Sequence, residues 1–307
     1  MAAEPSRTAA ELACQPSCWR RAADEAASFA DALPRSGERV AVTGCGTSWF
    51  MAQSYAALRE ATGDGETDAF AASEFPVGRT YDRVIAITRS GTTTEVLDLL
   101  ARLRGATATV ALTADPESAV SNAANHTVVL DYADEESVVQ TRFATTALML
   151  LRTGLEARGA LPAGVKSAAE AAVDAELAVT QPLPEVALGA EQWTFLGRGW
   201  AYGLALEAAL KMREAAGAWT EAYPAMEYRH GPISITGPGR VAWVFGTLPE
   251  GLAADIDRVG GALVADGLDP VADLIRAQRL AVAVAEGRGL DPDRPRGLTR
   301  SVILPGG

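Results

Sequence analysis

Two groups of side chains in this sequence lie close enough together to do chemistry. The first is a set of hydroxyls. TRSGTTTEV (88–96) crowds Thr88, Ser90, Thr92, Thr93 and Thr94 around Gly91, with Arg89 among them, and GCGTS (44–48) sets Thr47 and Ser48 after two glycines. Each run follows a short apolar stretch and precedes helix-spaced apolar residues, so each reads as a strand-to-helix turn. A helix start offers unpaired backbone N–H groups and the positive end of the helix dipole. Hydroxyl donors added there make a cradle for an oxyanion such as phosphate. Serine and threonine are also ordinary helix caps, and Thr92 with Glu95 fits a capping box. One cap per helix would satisfy that role. Five hydroxyls and an arginine exceed it, and Gly91 allows close backbone approach.

The second group is titratable. Glu207, Lys211 and Glu214 fall at i, i+4 and i+7, on one face of a predicted helix. Alone, such a row reads as a solvated charge ladder. The stretch that follows, EAYPAMEYRHGP (221–232), argues otherwise. It packs two acids, two tyrosines and His230, one of only two histidines, beside Gly-Pro in a loop-like segment. Loops on a rigid scaffold commonly carry sites. The other histidine, His126, precedes a strand in AANHTVVL and reads as structural.

Alternating elements would position these groups. Strands are predicted over 39–43, 83–88, 107–112 and 127–130. Helices are predicted over 8–33 (with Gln15-Pro16 as a point of interruption), 47–62, 92–104, 115–124 and 138–155, and Gly63 and Gly105 can close two of them. This alternation predicts an α/β fold with a parallel sheet covered on both faces. Ligands of such sheets bind at the carboxyl ends of the strands, where both hydroxyl turns fall. About half a chain later, WTFLGRGWAYGLALEAALKMRE (193–214) echoes VAVTGCGTSWFMAQSYAALRE (40–60), with Gly197 and Gly199 matching Gly44 and Gly46. Further strands are predicted over 241–246, 262–265 and 280–285. A repeat this long means two similar domains. The expected organisation is an N-terminal helical segment over 1–35, a first domain over 36–155, a connecting helix and linker over 156–190, and a second domain with a C-terminal tail over 191–307. The Gly-x-Gly turns do not complete a dinucleotide fingerprint. Trp49 and Tyr202 occupy the third-glycine positions, and no ribose-binding acid follows.

The bulk composition narrows the partners. With 48% hydrophobic and 21% charged residues, the 307-residue chain is an ordinary globular sequence. No apolar run reaches the ~18 residues of a membrane span. The N-terminus has no signal-peptide pattern, so a cytoplasmic location is expected. The net charge of −12 disfavours nucleic acid and anionic membrane surfaces. Cys14, Cys18 and Cys45 are an odd number, which argues against a disulfide framework. Cys14 and Cys18 would need two further ligands to hold a metal, and no metal or cofactor is expected.

CGTS (45–48), SEF (73–75), TRSGTTTE (88–95) and, most specifically, ALEAALKMREAAGAWTEAYPAMEYRHGP (205–232) resemble the sugar isomerase (SIS) domain family. Its members include the isomerase half of glucosamine-6-phosphate synthase and stand-alone amino-sugar-phosphate isomerases and deaminases. The resemblance runs from about Glu11 to Val302. It implies two tandem SIS domains, each a parallel sheet flanked by helices in a flavodoxin-like three-layer sandwich. It places Ser48, Thr88, Arg89, Ser90 and Thr93 on the phosphate of a phosphosugar. It sets Cys45, Gly46 and Thr47 toward the sugar, joined by Gln140 and Arg300. Glu214 would be the base that moves the proton at C2, Lys211 would tune its charge, and His230 would come from the partner subunit of a homodimer to assist ring opening.

The sequence also departs from the family pattern. Thr88 and Arg89 stand where serine and glutamine are usual, Gln140 where the synthase has a serine, and Met226 where glycine is usual. In the tail RPRGLTRSVILPGG (294–307), Arg300 occupies the place of the synthase's Schiff-base lysine. An arginine stays protonated and forms no such adduct. No glutaminase domain is present in the sequence, so a glutamine-dependent synthase is not expected. VFGTLPEG (244–251) has only Thr247, so one phosphate site per chain is expected, in the first half.

The resemblance thus implies a hexosamine 6-phosphate isomerase/deaminase. A proton beside a carbonyl is weakly acidic and needs a positioned carboxylate to remove it. The phosphate would supply remote binding energy that fixes the sugar against that base. Two alternatives stay open. A dehydratase or lyase would expel the C3 hydroxyl of an N-acetylhexosamine 6-phosphate. A non-catalytic phosphosugar sensor would need the cradle but not Glu214 and His230.

Overall fold

Val40 to Gly44 is buried at every position, a run of small and β-branched residues that suits a central parallel strand. The structure, a computed structural model, describes residues 5–304. The first four residues of the N-terminal segment and the last three of the tail lie outside them. Two helices open the described chain, α1 (Arg7–Ala13) and α2 (Gln15–Glu25), broken at Cys14. Then follow β1 (Val40–Gly44), α3 (Thr47–Ala61), β2 (Thr67–Ala71), β3 (Arg83–Ile87), α4 (Thr94–Leu103), β4 (Ala108–Thr113), α5 (Val120–Ala123), β5 (His126–Val129) and α6 (Arg142–Glu156). After α7 (Ala168–Thr180) and α8 (Glu185–Leu188) come β6 (Gln192–Gly197), α9 (Ala201–Ala216), β7 (Thr220–Pro224), β8 (Arg240–Phe245), α10 (Leu252–Arg258), β9 (Ala262–Ala265) and α11 (Pro270–Gly287).

The chain divides into two compact units. One, here the first unit, holds Ser17–Glu136, Gln140–Ala169 and the tail from Thr299. The second holds the chain up to Pro16, Ser137–Val139 and Glu170–Leu298. The first unit is built on a five-stranded parallel sheet in the order β2-β1-β3-β4-β5. The second is built on a four-stranded parallel sheet in the order β7-β6-β8-β9. In each sheet the first strand of the unit lies inside, so the order reverses there and opens a crevice at the carboxyl ends.

Two glycines do the same job in the two units. A Cβ on Gly44 would sit 2.6 Å from Ser48 Cβ, and one on Gly197 would sit 2.2 Å from the Ala201 carbonyl oxygen. Only glycine lets the helix start so close to the strand it follows. At the far end of α3, Arg59 is fully buried. Its guanidinium donates to the Asp64 carboxylate, to Thr67 Oγ1 and to the carbonyls of Arg35, Glu38, Asp64 and Glu66. The end of α3 is therefore tied to the start of β2 by satisfied buried bonds. In the second unit, the rings of Phe195, Trp243 and Phe245 lie within contact distance of one another, and the Trp243 indole N–H donates to Asp273 of α11 at 2.8 Å.

Several expectations are corrected. Residues 280–285 form no strand; they are the buried middle of α11, which starts at Asp269-Pro270, where the Asp269 carboxylate accepts from Val271 N. Thr92 and Glu95 form no capping box, because α4 begins two residues later with Thr93 at its N-cap and no side-chain capping bond. Residues 221–224 lie in β7 and not in a loop. The strands β2 and β7, at the edges of their sheets, escape the sequence pattern. No helix among the described residues is long and apolar enough to cross a membrane.

Candidate functional site

In the first unit the β1–α3 and β3–α4 turns lie side by side, since β1 pairs with β3 and a Cβ on Gly44 would fall 2.9 Å from the Ile87 carbonyl oxygen. Together they flank the reversal point of the sheet. Gly46 (φ 54) and Gly91 (φ 62) take left-handed backbone positions that favour glycine. Around them stand Thr47 and Ser48, buried in the first turn of α3, and Thr88, Ser90, Thr92 and Thr93 of the second turn. Thr88 Oγ1 is buried with no hydrogen-bond partner, an oxygen that a bound ligand could satisfy. Ser90 Oγ accepts from Thr92 N at 3.3 Å and contacts Thr92 Oγ1 at 3.1 Å. Cys45 is half-buried against the core. Burial, then the nearby Glu95 carboxylate, pushes its thiol up to about 11. It stays protonated at neutral pH.

Arg89 is buried. Its guanidinium lies 3.5 Å from the Glu135 carboxylate and donates to the Arg300 carbonyl at 3.0 Å. Glu135 also accepts from Thr141 N, Thr141 Oγ1 and Arg142 N at 2.5–2.8 Å. This carboxylate thus fixes both the start of α6 and the arginine of the hydroxyl turn, a favourable position at a helix N-terminus. Gln140, just before α6, has a buried amide nitrogen with no hydrogen-bond partner. The Arg300 side chain is turned onto the Asp134 carboxylate, at 2.5 and 2.8 Å, and onto the Glu135 carbonyl. Sequence reasoning missed Asp134, Glu135 and Ser301. The run of three acids, Asp134 to Glu136, ahead of VVQT was the one local signal for the first two.

In the second unit, Glu207, Lys211 and Glu214 lie along α9. They are no solvated ladder: the side chains of Glu207 and Lys211 are each 1% exposed. The Lys211 ammonium is 3.4 Å from Glu207 and in contact with Glu214, whose side chain is 17% exposed. Glu214 opens on a cavity of about 520 Å³ lined also by Arg213, Gly217, Leu290, Arg294 and Arg296. His230 is exposed at the end of a 3₁₀ turn (Glu227–His230), before Gly231 (φ 134). The tyrosines of this stretch are engaged elsewhere. Tyr223 donates to Glu221 at 2.8 Å, and its phenol is pushed up to about 12 by burial and by that carboxylate; Tyr228 bonds Thr236. Among the described residues no cluster of three histidine, cysteine or acidic side chains could hold a metal ion.

The SIS domain family model matches residues 35–155. A glutamine–fructose-6-phosphate aminotransferase (isomerizing) of Xanthomonas campestris is 30% identical, covering 90% of this chain and 53% of its own length. The enzyme of that name from Methanothermobacter thermautotrophicus is 28% identical, covering 87% and 52%. The chain spans about half the length of these curated relatives. Among solved structures, a glucosamine-6-phosphate deaminase from Thermotoga maritima superimposes with a TM-score of 0.81 at 23% identity, over 97% of this chain and 100% of that one. The C-terminal domain of glucosamine-fructose-6-phosphate aminotransferase from Francisella tularensis gives 0.75 at 20% identity, over 95% and 99%. The tagatose-6-phosphate ketose/aldose isomerase of Escherichia coli gives 0.75 at 17%, over 97% and 96%. These structures share the fold of this chain.

Proposed function

Residues 35–155 are a SIS domain, and from that premise we propose that the chain is an amino-sugar 6-phosphate isomerase/deaminase. It acts on a hexosamine 6-phosphate by proton abstraction at C2, without a cofactor. The repeated strand order and the matching Gly44 and Gly197 turns support reading residues 36–155 and 191–307 as tandem SIS domains joined through 156–190.

Ser48, Thr88, Ser90 and Thr93, with the backbone amides of their turns, bind the phosphate. Thr88 Oγ1, buried and unpartnered, supports this role. Arg89 orders the turn through Glu135, while Cys45, Gly46, Thr47 and Gln140 line the sugar. Glu214 removes the C2 proton. The observation that carries this reading is the Lys211 ammonium, buried between Glu207 and Glu214. The ammonium in contact holds the Glu214 carboxylate in place at the wall of the cavity it lines. A sensor would have no use for that buried arrangement. His230, exposed on its turn, assists ring opening across the interface of a homodimer, and the enzyme works in the cytoplasm.

The proton then returns at C1. With a free amine at C2 the product is a ketose imine, which water hydrolyses to fructose 6-phosphate and ammonia. Arg300 forms no Schiff base with the ketose, and its guanidinium is engaged by Asp134.

An NMR product screen over free and N-acetylated hexosamine 6-phosphates tests the proposal. Ammonia with fructose 6-phosphate from glucosamine 6-phosphate supports it. An unsaturated product from the N-acetyl sugar, with no ammonia from the free amine, replaces it by elimination at C3. Binding of every sugar with turnover of none replaces it by a sensor.

A further inference from the structure

The hydroxyl turn of the first unit carries one more hydroxyl than its own sequence supplies. Ser301 Oγ, from the C-terminal tail, lies 3.1 Å from Ser90 Oγ and 3.0 Å from Thr92 Oγ1. The 3.1 Å contact between Ser90 and Thr92 closes a triangle of three hydroxyls. The tail is held on both sides of this serine. Before it, the Arg300 guanidinium grips the Asp134 carboxylate, and Arg89 donates to the Arg300 carbonyl. After it, the Val302 carbonyl accepts from Thr94 N at 3.2 Å, and Leu304 N donates to Thr94 Oγ1 at 3.0 Å. Thr299 Oγ1 donates to the Ser301 carbonyl at 2.8 Å. A single serine is thus delivered to one spot by contacts at four neighbouring tail residues.

Three hydroxyls have three protons, and each can rotate. In a closed triangle those protons serve the neighbouring oxygens. An oxyanion arriving at the triangle can draw them outward, and charge-assisted bonds of this kind are roughly twice as strong as bonds between neutral groups. Thr88 Oγ1, buried in the same turn with no partner, independently marks a place where a ligand oxygen is wanted. We infer that Ser301 is a further phosphate-binding residue, brought to the cradle by the tail, so that a phosphate-bearing ligand and the docked tail stabilise each other. The inference rests on the phosphosugar reading of the cradle and adds a residue to it. The opposite arrangement is also defined by these contacts: the Val302 carbonyl takes the Thr94 amide, and a tail that merely plugged the cradle would compete with phosphate for it.

Calorimetric titration of the full chain with inorganic phosphate and with glucosamine 6-phosphate separates these cases. Ser301→Ala is expected to weaken both ligands by about tenfold, the loss of one bond to a charged group. Ser301→Thr, which keeps the hydroxyl, is expected to restore the affinity. Reciprocity requires that phosphate in turn hold the tail. Trypsin cleavage after Arg300, read by mass spectrometry, should slow when phosphate is added to the parent chain and should respond less in Ser301→Ala. Ser90→Ala is the control for the cradle itself. If the parent chain binds phosphate, Ser90→Ala abolishes it, and Ser301→Ala binds equally well or more tightly, the role of Ser301 falls while the cradle stands. If the parent chain binds neither ligand, the cradle reading and the role of Ser301 fall together.

Discussion

The Lys211 ammonium touches the Glu214 carboxylate and lies 3.4 Å from that of Glu207, one turn to either side on α9. With Glu207 and Lys211 almost wholly buried, this cation is not a surface charge that can be deleted cheaply. Removing one partner of a buried pair leaves the other desolvated without compensation. Lys211→Met is therefore expected to lower stability by about 3 kcal/mol. The urea midpoint should shift accordingly with the m-value unchanged. Adding Glu207→Gln should return part of the loss. A Lys211→Met variant as stable as the parent would mean that the pair is not an integral part of α9.

Gly91 should resist every side chain. Its φ of 62° favours glycine, and a Cβ there would fall 2.0 Å from Ser118 Oγ and 2.9 Å from Val120 Cγ1. Ser118 cannot simply swing aside, because its hydroxyl donates to the Asp115 carbonyl at 2.7 Å. Gly91→Ala is expected to cost about 1–3 kcal/mol in local strain and to weaken inorganic phosphate at least tenfold. Gly78→Ala, where nothing lies within 4 Å, should do neither. Calorimetry and thermal melts on the two variants check this.

Much of the fold was legible because its periodicities were strong. Val40–Gly44, Arg83–Ile87 and Arg240–Phe245 are apolar runs bounded by turn residues, and the central strands lie there. Thr67–Ala71 and Thr220–Pro224 carry acids among small residues. They become strands because each pairs along the edge of its sheet, which is a tertiary cause. LAVAVA (280–285) has the composition of a strand, but it is the middle of a helix whose start is set ten residues earlier by Asp269-Pro270. The candidate site divides in the same way. Ser90, Glu214 and their neighbours stand out through local spacing. Glu135 and Ser301 act through partners 46 and 211 positions away, a separation no local pattern carries.

Cys45 sits in the first hydroxyl turn, where a reactive thiol could be mistaken for a nucleophile. Its thiol is pushed up to about 11, first by burial and then by the Glu95 carboxylate. The thiolate, which is the alkylating species, is scarce at neutral pH and grows about tenfold per pH unit until that value is reached. Iodoacetamide should therefore modify exposed Cys14 first at pH 7.5. Cys45 labelling should climb steadily between pH 8 and 10 without a plateau. A Cys45 rate that levels off below pH 9 would show that the thiol ionises easily and that burial does not govern it.

In the proposed reaction Glu214 strips the proton from C2 of a phosphosugar. The most direct measurement is solvent-deuterium exchange at that carbon, followed by proton NMR on glucosamine 6-phosphate in D₂O. The parent chain is expected to wash out the C2 proton. Glu214→Gln should slow exchange by about 10³-fold while binding the sugar phosphate with little change in affinity. Exchange that persists in Glu214→Gln, or is absent from the parent chain while the sugar is bound, would contradict the account.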